Sequence, residues 1–307
     1  MSVTRDTLGI GELSHRAGVP VRTIRFYCDE GILASVRSAG GHRRFEPAAV
    51  DRLVLVRRLR ALGLGLPAIT AVLTGEHALA DAVAAERAAL DVELGALAWR
   101  RAALSAVEQA DPVARATRLE LLAAAGDGRA AHDELVAFWR RFFVNPVGAE
   151  WFHLFVEMNV PPPPVDPTPA QVVAYAELVT LARALVGPFQ ARAHANRHLD
   201  EVALLTEVGV ACEQVVPLVA AGHPPAPGVE LDQFVHAHAG ARDRRDTPQF
   251  RRDLLIYAGP DRDPRMRRYW TLVGDVTGEQ VTVGTWHTWL VDALAVDVGK
   301  AAVHPIQ

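Results

Sequence analysis

Apolar residues recur along this chain mostly at helical spacing, and strand-like alternation of β-branched residues is scarce. Ile10, Leu13 and Ala17 fall at i, i+3 and i+7, one face of a short helix that Gly18 can stop with its permissive backbone. Pro20 precedes a second run in which Ile24 and Tyr27 share a face with Ile32 and Leu33, while Arg22, Thr23 and Arg25 point elsewhere. Residues 35–45 are too short and glycine-rich for another helix. Gly40-Gly41 suits a tight hairpin turn with Arg37, Arg43 and Arg44 at its tip. Pro47 then opens a helix over 48–62 that Gly63 ends.

Further on, Val83, Leu90, Leu97 and Leu104 recur every seven residues between Ala80 and Ala110, with Leu79, Leu94 and Val107 filling out the stripe. This spacing predicts a coiled-coil helix, the alternative being a long helix packed within one chain. From Asp111 on the pattern is all helical. Helices are expected near 129–143 and 149–158, from Pro169 (capped by Thr168) to about Val186, and from Pro188 to Ala220 with a break near Gly209. Pro161 to Pro164 is a stiff interruption, and residues 223–227 are another. Thr247-Pro248, Asp263-Pro264 and a capping box of Thr277 with Gln280 mark three more helix starts.

A helix, a tight turn, a second helix with exposed arginines and a basic hairpin is the winged helix-turn-helix arrangement, whose second helix enters the DNA major groove. Residues 9–75 resemble that domain in MerR-family transcription regulators. The family's signatures stand here as Arg25-Phe26-Tyr27, Gly31-Ile32-Leu33 and Gly41-His42-Arg43-Arg44-Phe45. The resemblance implies that Arg22, Thr23 and Arg25 face the major groove and that Tyr27 touches a phosphate. By the same resemblance Arg43 and Arg44 hold the flanking backbone and Arg60 faces a phosphate, and Arg37 and His42 of the wing are counted with them as DNA-binding residues. Phe26 stands where the family has a tyrosine, so a hydroxyl contact there is lost. The resemblance also implies that Val83, Leu90, Leu94, Leu97 and Leu104 pair antiparallel with a second copy. Such a homodimer binds a pseudo-palindromic site in double-stranded promoter DNA and distorts it so that RNA polymerase can engage.

Composition divides the labour. Residues 1–77 hold eleven arginines against seven acids, a net charge of +4, whereas the remainder carries −8. Only the front suits a polyanion. No continuous apolar run approaches about 18 residues, and Met1 to Asp6 has no apolar signal core, so a cytoplasmic protein without a membrane partner is expected. Cys28 and Cys212 are far apart, which offers neither a disulfide framework nor the cysteine cluster of metal- or redox-sensing family branches. His236 and His238 lie on different faces at i, i+2. His194 and His198 share a face at i, i+4 but have no third ligand, so no metal or other cofactor is expected.

The expected fold class is mainly α, in three parts: a winged helix-turn-helix head (1–77), a coiled-coil dimerisation helix (78–111) and an all-helical effector-binding domain (112–307). Five of the six tryptophans lie past residue 138. Trp139, Phe143, Trp151, Phe155, Tyr269, Trp270, Trp286 and Trp289 are candidate lining for a small organic effector, with Glu150, His153 or Glu157 as polar anchors, although aromatics at helical spacing also fill cores. The domain is similar in kind to those of the family's multidrug and antibiotic sensors. Catalysis has no motif behind it: Gly-x-Ser-x-Gly, a phosphate-cradling loop and His-Glu-x-x-His are missing from the sequence. A regulator controlled by a protein partner and a constitutive DNA-bending protein are the alternative functions.

Overall fold

The computed structural model describes residues 7–38 and 40–303, so the Met1 to Asp6 start lies outside the described residues. Two compact units divide at Leu94 and Gly95. The first begins with strand β1 (Leu8–Gly9), helix α1 (Ile10–Ala17) and helix α2 (Val21–Asp29). Strands β2 (Val36–Arg37) and β3 (Arg43–Phe45) form the wing, and α3 (Ala49–Ala61) and α4 (Leu66–Thr74) follow. Helix α5 (Leu79–Glu108) runs through the boundary between the units.

The predicted stop at Gly18 is a left-handed cap, φ 63°, whose amide bonds back to the Ser14 carbonyl. Leu13, Ile24, Tyr27, Ile32, Phe45, Leu53 and Ile69 meet in one core under the helices. The sheet has the order β1-β3-β2, all antiparallel, with Leu8 opposite Phe45 and Val36 opposite Arg44. Strand β1 escaped the sequence reading because two residues are too few to show alternation. The arginines of α3 terminate other elements. Arg52 donates to the Ile32 carbonyl at 3.1 Å, Arg57 to Ala17 at 3.2 Å and Arg60 to Leu64 at 2.9 Å, so carbonyls at the ends of α1 and in two loops find donors.

The second unit is helical throughout its described residues. After α6 (Arg115–Ala125), α7 (Gly128–Arg140) and α8 (Ala149–Asn159) comes the long α9 (Pro169–Ala195). Then follow α10 (Glu201–Ala220), α11 (Val229–Gly240), α12 (Pro248–Tyr257), a 3₁₀ turn (Gly259–Arg262), α13 (Pro264–Thr277) and α14 (Val283–Val303). Two apolar cores form. One gathers Trp99, Leu135, Trp139, Tyr175, Val179 and Tyr269 around α9, and the other gathers Leu204, Val215, Phe234, Phe250, Leu290 and Leu294 around α10, α11, α12 and α14.

Three boundaries differ from the expectation. Helix α9 does not end before Pro188 but runs through it to Ala195. An interior proline removes the bond to the carbonyl four residues back, and here that carbonyl, Ala184, accepts instead from the Arg265 guanidinium at 3.2 Å. The break falls at residues 196–200, where Asp200 caps α10 by accepting from the Ala203 amide, and α10 continues past Gly209. Thr277 opens no helix: its hydroxyl bonds back to the Val273 carbonyl, and Gly278 closes α13. The Thr168 cap does form, as a full capping box with Gln171.

By length and composition α9 and α10 could span a bilayer, with mean hydropathy of 1.5 over Pro169–His194 and 1.6 over Glu201–Ala220. Most of the α9 window is buried inside the unit, as expected of a core helix in a multi-helix domain.

Helix α14 crosses α13 at Gly284, where a Cβ would run into the Trp270 indole. Gly284→Ala should therefore cost about 1–3 kcal/mol through overpacking. Gly299→Ala, in the same helix with open space around it, should be neutral or stabilising by up to about 1 kcal/mol. Urea denaturation of the two variants checks the contrast.

Candidate nucleic-acid interface and effector cavity

Helix α2 buries Ile24 and Tyr27 and leaves Arg22, Arg25 and Phe26 exposed, with Thr23 half-buried. The wing turn is closed by bonds from the Ser38 amide to the His42 carbonyl and from the Gly41 amide to the Ser38 carbonyl, both 2.9 Å. Arg37 and His42 project from it into solvent. Arg43 and Arg44 are held: Arg43 donates to the Asp29 carboxylate at 2.7 Å, and Arg44 to the Thr7 carbonyl at 2.6 Å and its hydroxyl at 3.1 Å. Arg25, Arg37, His42, Arg43 and Arg44 thus border one open groove of about 880 Å³. The structure brings these predicted residues together. Arg22 and Thr23 lie on the same helix without lining the groove, Arg60 is tied to Leu64 on α3, and the Tyr27 ring belongs to the core.

The heptad positions of α5 are exposed. Val83, Leu90, Leu94, Leu97 and Leu104 are 39% to 64% accessible, while Trp99, Ala102 and Ala106 supply the buried face. The helix therefore carries an apolar stripe on its exposed face.

In the second unit the predicted aromatics do something else. Trp139 lies within ring-contact distance of Phe138, Phe142, Phe155, Phe189, Tyr269 and Trp270, and its indole donates to the Tyr269 hydroxyl at 2.9 Å, which donates in turn to the Asn159 carbonyl. Phe143 and Trp151 pack on the edge of this cluster, and Trp286 and Trp289 belong to the other core. Trp139, Phe143, Trp151, Phe155, Tyr269 and Trp270 pack ring against ring, as aromatics at helical spacing on adjoining helices do, while Trp286 and Trp289 pack into the second core. His153 and Glu157 pair with each other on the exposed face of α8.

A small cavity of about 40 Å³ opens elsewhere, and none of the eight lines it. Its polar walls are Arg192 of α9, Asn196 just beyond, Glu201 at the start of α10, His238 of α11, Tyr257 of α12, Asp261 of the 3₁₀ turn and His287 of α14. Apolar spacing could not reveal them, because each stands singly on its own helix. Arg192 pairs with Asp261, and its guanidinium lies 4.6 Å from the Phe189 ring and 4.8 Å from Phe142. Asn196 donates to the Tyr257 hydroxyl at 2.5 Å. Arg242 lies over the Tyr257 ring and donates to the His238 carbonyl and Nδ1, 3.0 and 3.1 Å away. A guanidinium only donates, so that Nδ1 accepts and the imidazole is neutral.

The geometry of the first unit, a basic wing beside an exposed helix, defines a winged helix-turn-helix protein. Residues 8–76 match the pattern of the MerR HTH family regulatory proteins. The HTH-type transcriptional regulator MerD of Shigella flexneri is 36% identical over 97 residues, 31% of this chain and 79% of that protein. The chain belongs to the MerR family. The nodulation protein NolA of a Bradyrhizobium strain is 33% identical over 133 residues, 42% of this chain and 48% of its own length. The HTH-type transcriptional activator TipA of Streptomyces coelicolor is 43% identical over 65 residues, 21% of this chain and 26% of its own length. The chain thus spans less than half the length of the NolA and TipA relatives.

Burial holds both imidazoles below the ordinary histidine range. For His238, which lies well below it, the charges of Arg242, His287 and Arg192 add to this; for His287, Asp261 pulls upward and Arg192 downward. As pH falls below about 6.5 the unfolded chain takes up protons that these folded sites refuse. Folding stability should therefore drop by up to about 1.4 kcal/mol per pH unit for each histidine until its folded pKa is reached. Burial raises the Glu201 pKa, an effect that the Val144 and Asn145 backbone offsets in part. Glu201 therefore acts in the opposite sense, and Glu201→Gln should steepen the acid loss. Urea denaturation at a series of pH values from about 7.5 to 5 measures both.

Proposed function

We propose that this MerR-family chain is a ligand-responsive transcriptional regulator. As a homodimer joined along α5, it would bind a pseudo-palindromic operator in double-stranded promoter DNA and act on RNA polymerase by distorting that DNA. A small organic effector held by the helical second unit would set the balance between two dimer conformations. The division into a reading head (1–77), a dimerisation helix (78–111) and an input domain (112–307) belongs to this reading. The observation that carries it is the meeting of Arg25 with the wing residues Arg37, His42 and Arg43 around one basic groove, beside the exposed Arg22.

The arrangement divides the work. Arg37 and His42 are free to follow the backbone, whereas Arg22 and Arg25 lie on the helix face that a major groove receives. The Asp29 carboxylate holds Arg43 in place before DNA arrives. Deforming an operator costs a few kcal/mol, which added backbone contacts from wing and helices can offset. The input cavity, at about 40 Å³, is far below the roughly 300 Å³ or more of drug-sized sites. This supports a small effector, or one whose entry parts the helices around the cavity.

Arg37→Ala should weaken binding to operator and random DNA alike and lower the slope of affinity against salt by about one phosphate contact. Arg22→Ala should flatten base preference by about 1–3 kcal/mol. Binding-site selection followed by salt titration measures both, and equal loss on operator and random DNA for Arg22→Ala contradicts its role. Leu97→Glu with Leu104→Glu should convert dimer to monomer in sedimentation, with little change in thermal stability because both side chains are exposed.

A further inference from the structure

Glu201 is 5% exposed and lines the cavity, yet no side-chain donor bonds either of its carboxylate oxygens, which have only the Val144 and Asn145 backbone nearby. Buried carboxylates are normally paired, because an unpartnered one costs folding free energy. The surroundings show why this site has stayed open. Arg192 is taken by Asp261, Asn196 by Tyr257, and Arg242 faces His238 and Tyr257. The side-chain donors Arg192 and Asn196 thus have acceptors of their own, and the carboxylate, with only the Val144 and Asn145 backbone acting on it, is left as an acceptor facing a small void.

We infer that the cavity is the effector site and that it takes the amine end of a small organic molecule, whose N–H groups bond the Glu201 carboxylate while its carbon skeleton lies along Phe142 and Phe234. The assignment rests on the reading of the second unit as an input domain. An ammonium satisfies two acceptor oxygens at once, and the rings beside it favour a cation over a carboxylate or an alcohol. Glu201 stands at the first position of α10, where the helix dipole favours its ionised form once a counter-charge arrives. The void admits only a few heavy atoms, since a cavity of about 150 Å³ is needed to hold benzene. The head group is therefore a simple amine, with any larger remainder directed outward.

The site is also a junction. Asn196 and Glu201 flank the segment 196–200 between α9 and α10, while His238, Tyr257, Asp261 and His287 come from α11, α12, the 3₁₀ turn and α14. Filling it ties five helices and the turn together, and emptying it leaves a buried charge without a counterpart. A ligand with that differential effect can shift a two-state equilibrium.

The test is calorimetric titration of the full chain with ethylamine, and with ethanol and acetate as neutral and anionic counterparts. Ethylamine should bind, ethanol and acetate should not, and affinity should fall as pH drops through the raised Glu201 range. Glu201→Gln should bind ethylamine about tenfold or more weakly, the effect of replacing a charge-assisted hydrogen bond by a neutral one. The same variant should melt at or above the wild-type temperature at neutral pH, because an uncompensated charge is gone, so loss of binding cannot be loss of fold. Absence of ethylamine binding, unchanged binding by Glu201→Gln, or preference for acetate overturns the assignment. If the chain still binds its operator and answers another organic effector, only the amine assignment has failed. If it binds no operator while ethylamine binding persists, the regulatory reading has failed and the site stands.

Discussion

Burial of α9 organises the second unit. Val172, Tyr175, Leu178, Val179, Ala182, Leu185 and Phe189 all point into the first core, and the same helix then carries Arg192 to the cavity. One continuous helix thus joins an apolar core to a polar site, so the position of Arg192 is set by packing that extends from the adjoining turn back through about five turns. This holds only because α9 continues through Pro188 to deliver its last turn. The Arg265 bond to the Ala184 carbonyl is what permits that. The 27-residue rod depends on an interaction from α13, distant in sequence.

The first unit solves a different problem with the same residue type. Arginines there are both structure and interface. Arg52, Arg57 and Arg60 spend their donors on carbonyls at the ends of helices or in adjoining loops, while Arg22, Arg25 and Arg37 are exposed to solvent. A cation committed to a carbonyl cannot also follow a phosphate without breaking that bond, so the internal bonds set Arg52, Arg57 and Arg60 apart from the chemically equal Arg22, Arg25 and Arg37. Arg43 and Arg44 are intermediate, oriented by Asp29 and by Thr7 yet bordering the groove. Such tethering reduces the side-chain entropy lost on contact with DNA.

Stability and function pull against each other in the second unit. Two neutral histidines, a raised glutamate and a buried ion pair occupy positions that apolar residues would fill at lower cost. The aromatic cluster around Trp139 supplies the opposite: a core dense with ring contacts and closed by the Trp139, Tyr269 and Asn159 chain of bonds. The tryptophans and their partners pack the cores, and the polar residues that stand singly on their elements line the cavity. The neutral His238, fixed as an acceptor from Arg242, also keeps the cavity from gaining a further positive charge at neutral pH.

Much of the head was legible because its signals are local. Gly18 stops α1, the periodicity of Ile24 and Tyr27 sets which face of α2 is buried, and Arg22 and Arg25 follow onto the other face from geometry alone. The sevenfold leucine spacing likewise placed one exposed stripe on α5. In the second unit, Thr168, Thr247 and Asp263 announced their helices through cap chemistry that acts over three residues. What the sequence alone could not decide is what depends on distant partners. Pro188 reads as a break until Arg265 supplies the missing donor, and Thr277 reads as a cap until its hydroxyl is seen bonding backward. The aromatic residues read as pocket or core until their ring contacts are known. The cavity assembles single residues from six elements spread over positions 192 to 287, and no periodicity links them. Sequence determines which faces must be buried, because hydrophobicity and capping are properties of neighbours. Tertiary packing decides which polar group is left without a partner, because satisfaction of a hydrogen bond depends on what the rest of the chain brings beside it.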